Sequence, residues 1–356
     1  MRIVSPLLKH VLYPTLSRAG VLRRPSGSGP AVLTYHGILP AGYPRRDAAI
    51  DGHLISSDEF RSHLRFLKSR WDVIAPEQFR LWCDGQVKLP SRAVLLTCDD
   101  GLLNTVTDML PIIRDFDLPC LFFVTGASTS EQGAVLWYER LYLWLTQAPA
   151  VSIRMPWRAH AYAAKNKQES HSLWRELIDK LSSFEAGARE SILDQMRIQI
   201  GISEDWESEY SQNEPSRRRL FMLNRSDLRT LADAGGTIGA HTISHPMLSR
   251  VSDELAFHEI SEGRTQLENA IGRKIWAFAY PFGTPESVSV RDEVLTQRAG
   301  FACSFMNTEN TSGGNFMFPR IHVSDGMGVA ELEAHLSGLY RSLQSRFVAL
   351  SGRPVA

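Results

Sequence analysis

Two adjacent aspartates follow a strongly apolar stretch of the chain. The run AVLLTC (93–98) predicts a buried strand, and Asp99 and Asp100 come directly after it, before Gly101 and a helical pattern. Burying an unpaired carboxylate is costly, and a second carboxylate beside the first needs a cation or a proton of its own. One aspartate alone could simply cap the following helix. The pair therefore indicates a charge-binding site where this strand ends.

Two histidines occupy a similar place further along the chain. His241 ends the strand pattern TIGAH (237–241), and His245 follows four residues later. Histidines at i and i+4 across a turn can converge on one cation, and imidazole together with carboxylate suits zinc or a similar borderline metal. Paired histidines also serve as core or capping residues. If they do share a metal with one aspartate, coordination positions remain for water, and the spare aspartate can act as a general base.

Alternating strand and helix patterns surround both motifs. Seven near-continuous apolar runs are typical of strands in a sheet that helices cover; they are 31–36, 93–98, 120–125, 237–241, 275–280, 301–305 and 318–323. This alternation, without an internal repeat, predicts an α/β fold: a distorted (β/α) barrel of about seven parallel strands. Catalytic groups of barrels lie at the carboxyl ends of the strands, so both motifs are expected at one mouth. His36 ends the first strand and is either a further group at this mouth or a core histidine.

One long stretch interrupts the alternation. Residues from about 127 to 225 are helical and polar in pattern, which predicts a helical insertion on one strand–helix connection, where insertions shape ligand sites. Its aromatic segment VLWYERLYLWL (135–145) favours a core role over a sugar platform, and Arg217–Arg219 favours a solvated loop. We divide the chain into an N-terminal amphipathic segment with linker, 1–30, and a barrel domain, 31–356.

The composition excludes several function classes. The 356 residues are 43% hydrophobic and 22% charged, which is typical of a soluble globular protein. Lys+Arg and Asp+Glu both total 39, so the charge balance argues against nucleic acid as a partner. The four cysteines lack CxxC spacing, which predicts reduced core residues and no disulfide framework.

The first 24 residues allow two interpretations. Lys9, His10, Pro14 and Arg18 interrupt the apolar residues, so no signal-peptide core or membrane-spanning helix is predicted. The segment is either a helix docked on the domain or an interfacial helix whose basic residues meet anionic lipid headgroups. Pro14 would break or kink such a helix. The expected location is cytoplasmic, with peripheral contact at the inner membrane face through residues 1–24 as the second interpretation.

Three motifs in this order resemble the polysaccharide deacetylases, carbohydrate esterase family 4: TCDDG (97–101), HTISH (241–245) and AYPFG (279–283). The opening strand LTYHGI (33–38) is similar to the start of bacterial members, and the likeness covers roughly 31–325. The resemblance implies that Asp100, His241 and His245 hold a divalent metal, Zn²⁺ in the first place, with Co²⁺ or another divalent ion as alternatives. It also implies that Asp99 is the catalytic base.

The sequence departs from the family pattern at two motifs. Ala279 stands where the family has an arginine that orients the base, and Arg320 on a neighbouring strand could supply that charge. The backbone N–H of Phe282 remains available to an oxyanion. The family's acid motif Leu-x-His reads Arg320-Ile321-His322, so His322 is expected to be the general acid.

The implied reaction is hydrolysis of an N-acetyl amide on an N-acetylhexosamine-containing polysaccharide or glycan precursor, in cell-envelope or exopolysaccharide metabolism. The metal polarises the carbonyl, Asp99 removes a proton from water, and His322 protonates the leaving amine. Two alternatives remain open. One is a deformylase or deacetylase of a lipid-linked sugar, and the other is a non-catalytic carbohydrate-binding relative.

Overall fold

A curled parallel sheet organises the molecule. The computed structural model describes residues 6–23, 29–44, 47–309 and 314–344. Its strands are β1 Ala31–Tyr35, β2 Asp72–Val73, β3 Ala93–Cys98, β4 Leu121–Val124, β5 Val151–Ile153, β6 Tyr162–Ala164, β7 Thr237–Ala240, β8 Ala277–Ala279, β9 Cys303–Phe305 and β10 Ile321–His322. Within the described residues, seven parallel strands follow the order β10-β1-β3-β4-β7-β8-β9, and β2 pairs with β3. An isolated parallel bridge between Phe305 of β9 and Phe318, shortly before β10, links the chain at the two ends of this strand order. The predicted α/β barrel is confirmed, and each of the seven predicted runs contains one strand.

The barrel strands are mostly apolar because they face two cores. Along β3, Val94, Leu96 and Cys98 pack with the covering helices, while Ala93 and Leu95 pack inside the barrel. Side chains alternate between the two faces of a strand, so Thr97 and then Asp99 continue the inward series. The backbone of β3 therefore directs the Asp99 carboxylate into the mouth of the barrel.

Helices connect and cover the strands. They are α1 Tyr13–Arg18, α2 Ala48–Asp51, α3 Ser57–Arg70, α4 Pro76–Cys83, α5 Leu110–Phe116, α6 Trp137–Gln147, α7 Lys167–Leu181, α8 Ala186–Ile200, α9 Glu207–Gln212, α10 Glu214–Leu220, α11 Arg225–Asp233, α12 Asp253–Ile271, α13 Val290–Arg298 and α14 Val329–Leu336. Single π-helical turns, Leu8–Leu12 and Thr105–Met109, precede α1 and α5. The side chain of Ser252 caps α12, which ends at Gly272 in the left-handed conformation that favours glycine.

Between β4 and α11 the chain forms a separate layer of five helices, α6 to α10, and the antiparallel pair β5–β6. This layer, which we call the insertion, has its own apolar core, to which Ile50 of α2 also belongs. The prediction of a solvated loop at Arg217–Arg219 is wrong. These residues lie in α10, and Arg219 is fully buried because Asp51 and Glu139 pair with its guanidinium.

Residues 6–23 dock on the C-terminal helix. Tyr13 and Leu22 are buried in a small apolar cluster with Ala334 of α14, and Lys9 lies 3.3 Å from Glu331. This is the docked arrangement of the two that the sequence allows, while residues 1–5 and Arg24 lie outside the described residues. None of the helices within the described ranges is both long and apolar enough to cross a membrane.

The cysteines are free thiols. Cys98, Cys120 and Cys303 are buried in or beside strands, and Cys83 is partly exposed. The prediction of small core residues holds for the three buried cysteines, whereas Cys83 lies nearer the surface.

Candidate active site

Three potential metal ligands meet at the mouth of the barrel. Asp100 follows β3, and His241 and His245 follow β7, so neighbouring regions of one sheet edge supply all three side chains. The Oδ1 atom of Asp100 lies 3.4 Å from Nε2 of His241 and 3.3 Å from Nε2 of His245. One ligand atom from each residue falls within 4.8 Å of the others, and all three residues are buried. The structure thus brings together the three residues named from the sequence.

The hydrogen bonding of this cluster fits a cation. Nδ1 of His241 lies 2.7 Å from the backbone oxygen of Ala279, and because a carbonyl only accepts, Nδ1 must carry the hydrogen. Nε2 of His241 then presents a lone pair to the Asp100 carboxylate, which is also an acceptor when ionised. Two acceptors at 3.4 Å require a proton or a metal ion between them.

The pKa shifts give the cluster the protonation states of a ligand set. Burial would raise the pKa of Asp100, but the imidazoles of His241 and His245 that face its carboxylate outweigh burial and hold the pKa well below its usual value. Burial lowers the pKa of His245, against the opposing effect of Asp100. An ionised carboxylate beside a neutral imidazole is the form in which these groups bind divalent metals.

Several non-glycine residues at this mouth have left-handed backbone conformations. The φ angles are 74° at Asp100, 65° at Thr242, 56° at His245 and 59° at Phe282. Each such residue is unfavourable by about 1–3 kcal/mol, and such residues persist where surrounding contacts impose them. Four of them at one mouth indicate that the fold holds these groups in place for a purpose other than stability.

The loop 241–245 is held from two sides. Glu259 of α12 accepts hydrogen bonds from the backbone N–H groups of Ile243 and Ser244, at 2.9 Å each. From the insertion, Arg189 donates to the backbone oxygen and the hydroxyl of Ser244, both at 2.9 Å. Trp137 donates from Nε1 to the backbone oxygen of His245 at 3.1 Å. The insertion therefore helps to position His245, one of the three potential metal ligands.

Asp99 pairs with Arg320. Nη1 of Arg320 lies 2.8 Å from Oδ1 of Asp99, and Nη2 lies 2.5 Å from Oδ2, so the guanidinium grips both carboxylate oxygens. Arg320 also donates from Nε to the backbone oxygen of Met306, and both charged groups are at most 2% exposed. Arg320, the residue suggested from the sequence, thus places a guanidinium on Asp99, which Ala279 cannot do.

Of the other two predicted catalytic groups, Phe282 lines the same cavity, whereas His322 contacts a residue that lines it. The Phe282 ring lies 4.8 Å from the His245 ring between centroids, and its backbone N–H has no hydrogen-bond partner in the part of the chain that the structure describes. Nδ1 of His322 lies 3.2 Å from Oδ1 of Asn307. The His322 ring is 4.9 Å from that of His36, which lines the cavity itself.

The cavity has a volume of about 220 Å³ and includes residues that the sequence did not single out as functional. Tyr138, Glu139 and Trp174 come from the insertion, Ile50 and His53 from the segment around α2, and Asn307 from the end of β9. For the aromatic segment, the core prediction holds for Trp137, Tyr142 and Trp144, and Tyr138 packs against the core while also lining the cavity. From the sequence, only the expectation that an insertion shapes the site pointed to these residues.

A family model supports the same interpretation. The model described as Polysaccharide deacetylase matches residues 202–301, which include both histidines and Phe282. The resemblance to the polysaccharide deacetylases is confirmed. The chain is thus similar to this family in its motifs and over the matched segment, although a comparison with curated protein sequences finds no match.

Solved deacetylase structures share the fold. The Streptococcus pyogenes deacetylase PplD, in complex with acetate, aligns with a TM-score of 0.55 at 14% identity, covering 86% of this chain and 97% of PplD. IcaB from Ammonifex degensii aligns with a TM-score of 0.52 at 18% identity, covering 88% and 99%. A de-N-acetylase from Aggregatibacter actinomycetemcomitans aligns with a TM-score of 0.52 at 14% identity, covering 86% and 99%. At these identities the likeness shows the polysaccharide deacetylase fold.

Proposed function

We propose that this protein is a metal-dependent hydrolase that removes N-acetyl groups from N-acetylhexosamine units of a polysaccharide. The observation that carries the proposal is the buried cluster of Asp100, His241 and His245 beside an aspartate, Asp99, that a guanidinium holds by both oxygens. A purely structural metal site needs no such aspartate, and a decayed site would not be expected to keep all of these groups together. This argues against the non-catalytic alternative.

Asp100, His241 and His245 would hold the metal, with Zn²⁺ favoured by the nitrogen and oxygen ligand set and Co²⁺ as an alternative. When bound, such an ion polarises the scissile carbonyl and makes water a stronger acid. The chain's own residues then supply the proton transfers and the positioning.

Asp99 takes the proton of the attacking water, and the paired Arg320 fixes the direction of its carboxylate through both oxygens. The N–H of Phe282 donates to the oxygen that gains charge as water adds to the amide carbon. When the carbon–nitrogen bond breaks, the sugar nitrogen needs a proton to leave as an amine. His322 supplies it, and His36, in contact with the His322 ring, is the second candidate for this step.

Acetate release tests this function. The purified protein should release acetate from N-acetylated polysaccharides, and formate measured in parallel distinguishes the deformylase alternative. Asp99→Asn should keep the metal and lose roughly 10²–10⁴-fold in rate, because it removes the base without removing a ligand. Asp233→Asn, an exposed aspartate far from the site, is the matched control. An Asp99→Asn protein that retains the full rate would remove Asp99 from the mechanism.

A further inference from the structure

Two walls enclose the active-site cavity beyond the barrel itself. The insertion contributes Tyr138, Glu139 and Trp174, and the 47–53 segment contributes Ile50 and His53. Both walls stand over the mouth that holds the metal cluster. Without them, the carboxyl ends of the strands would be accessible from this side.

Buried ion pairs join these two walls. Arg219 of the insertion donates from Nε to Asp51 at 2.8 Å and from Nη1 and Nη2 to Glu139 at 3.0 Å each. Asp47 lies 2.9 Å from Nε2 of His171 in α7. A fully buried guanidinium shared by two carboxylates holds a fixed geometry, since separating them would leave an unpaired buried charge. The two walls therefore move as one unit.

Further contacts continue around the mouth in both directions. On one side, the His53 ring lies 5.3 Å from that of His36, and the His36 ring lies 4.9 Å from that of His322. On the other side, the Tyr138 ring lies 5.7 Å from that of Phe282, at the end of β8.

Asn307 closes the remaining gap. Its backbone N–H donates to the carbonyl of Gly283 at 2.7 Å, and its side-chain oxygen lies 3.2 Å from Nδ1 of His322. Nε2 of His53 lies 3.9 Å from Oε1 of Glu139. The contacts thus join six residues that line the cavity into a continuous circuit, with His322 and Gly283 as bridges between them; the six are His36, His53, Glu139, Tyr138, Phe282 and Asn307.

We infer that this site acts on one terminal N-acetylhexosamine unit of an oligosaccharide or polysaccharide and excludes units within the chain; the inference rests on the proposed deacetylase function. An internal unit carries sugar neighbours on both sides and needs a trench open at two ends, whereas the circuit leaves one opening. The cavity of about 220 Å³ lies below the range of about 300–1,000 Å³ for drug-sized ligands, which fits a single sugar ring.

The lining has the chemistry of a sugar pocket. Tyr138 and Trp174 offer aromatic faces for the apolar side of a pyranose ring. The Glu139 carboxylate, already fixed by Arg219, keeps lone pairs that can accept hydrogen bonds from ring hydroxyls, and His53 is a further polar partner.

Product mapping tests the inference directly. The metal-loaded wild-type protein is incubated with gluco- and galacto-configured N-acetylhexosamine pentasaccharides, and the free amine is located by fragmentation mass spectrometry. We expect the free amine at one terminal unit only. The acetate released per unit mass of substrate should fall as the substrates lengthen. Amines at internal units of the pentasaccharide would overturn the inference and leave the deacetylase function intact. If the protein releases acetate from none of the N-acetylated substrates, short or polymeric, both the proposed function and the inference are overturned.

A wall variant provides the second test. Trp174→Ala removes the aromatic side chain that lines the cavity from α7 and should raise the internal-to-terminal product ratio at least 10-fold. Trp157→Ala is the matched control, because Trp157 lies in the insertion against Phe184 and Tyr162, away from the cavity. An unchanged ratio in folded Trp174→Ala protein would show that the wall does not limit the substrate.

Discussion

The proposed base, Asp99, pairs with a guanidinium that lies far in sequence from the AYPFG motif. Ala279 cannot orient a carboxylate, and Arg320 reaches Asp99 from the segment before β10. A long side chain from another strand of the barrel can therefore place its charged group beside Asp99. At the scale of the residue, the geometry of the guanidinium matters more than its place in the sequence.

Replacing Arg320 by lysine tests this geometry. Lysine keeps the charge but cannot form the bidentate hydrogen bonds to Asp99. The rate of acetate release should therefore fall roughly 10–100-fold while the metal content stays unchanged. Arg273→Lys, at an exposed ion pair with Asp233, is the control. Equal kcat values for Arg320→Lys and the wild type would show that charge alone suffices.

The same pair predicts a stability effect. Asp99→Ala leaves the buried Arg320 without its partner and should lower the free energy of unfolding by about 3–5 kcal/mol. The double variant Asp99→Ala/Arg320→Met removes the stranded charge and should recover much of that loss in denaturant unfolding. A double variant no more stable than Asp99→Ala would contradict the assigned pairing.

At the scale of elements, the insertion contacts the loop of the proposed metal site. Arg189 of α8 and Trp137 of α6 bond to the loop that carries His245, while Glu259 of α12 holds it from the barrel side. Groups that position ligands typically alter metal affinity when removed, even without touching the metal.

Arg189→Ala should therefore weaken zinc affinity roughly 10–100-fold, measured by competition with a chromophoric chelator. Arg197→Ala is the matched control on the same helix, because Arg197 bonds to Asp194 and the backbone of Ile202. Zinc affinity equal to that of the wild type would mean that the barrel alone holds the loop.

The sequence was most informative where one element carries the signal. All seven barrel strands were predictable because each is buried on both faces, and the two motifs were recognisable because the ligands lie close together in the chain. The Arg219–Asp51–Glu139 cluster was not predictable, since its members come from three separate segments and a triple arginine resembles a solvated surface. Tyr138 was assigned to the core because helical spacing cannot separate a core face from a cavity face.

At the scale of the whole molecule, one buried cluster couples the insertion to the barrel. Burial raises the pKa of Glu139 to about 7, with Arg219 opposing the shift and Asp51 and Asp100 adding to it. His53 also faces this carboxyl group. The folded state thus binds a proton at Glu139 more tightly than the unfolded chain does.

This difference gives the fold a pH dependence. The stabilisation from the bound proton is complete below the ordinary pKa of 4.5 and is lost as the pH rises through about 7. Between pH 5 and pH 8 the wild type should lose up to about 3 kcal/mol relative to Glu139→Gln, measured by urea unfolding at matched metal loading. Parallel stability curves for the two proteins would contradict the shifted pKa.

The proposed function requires that the cluster of Asp100, His241 and His245 holds a divalent metal on which hydrolysis of the N-acetyl amide depends. The most direct measurement is acetate release by one sample as purified, after chelation, and after Zn²⁺ or Co²⁺ is returned, with metal content determined at each stage. We predict that activity disappears with the metal and returns with it. Metal-free protein that releases acetate at the original rate would contradict the account.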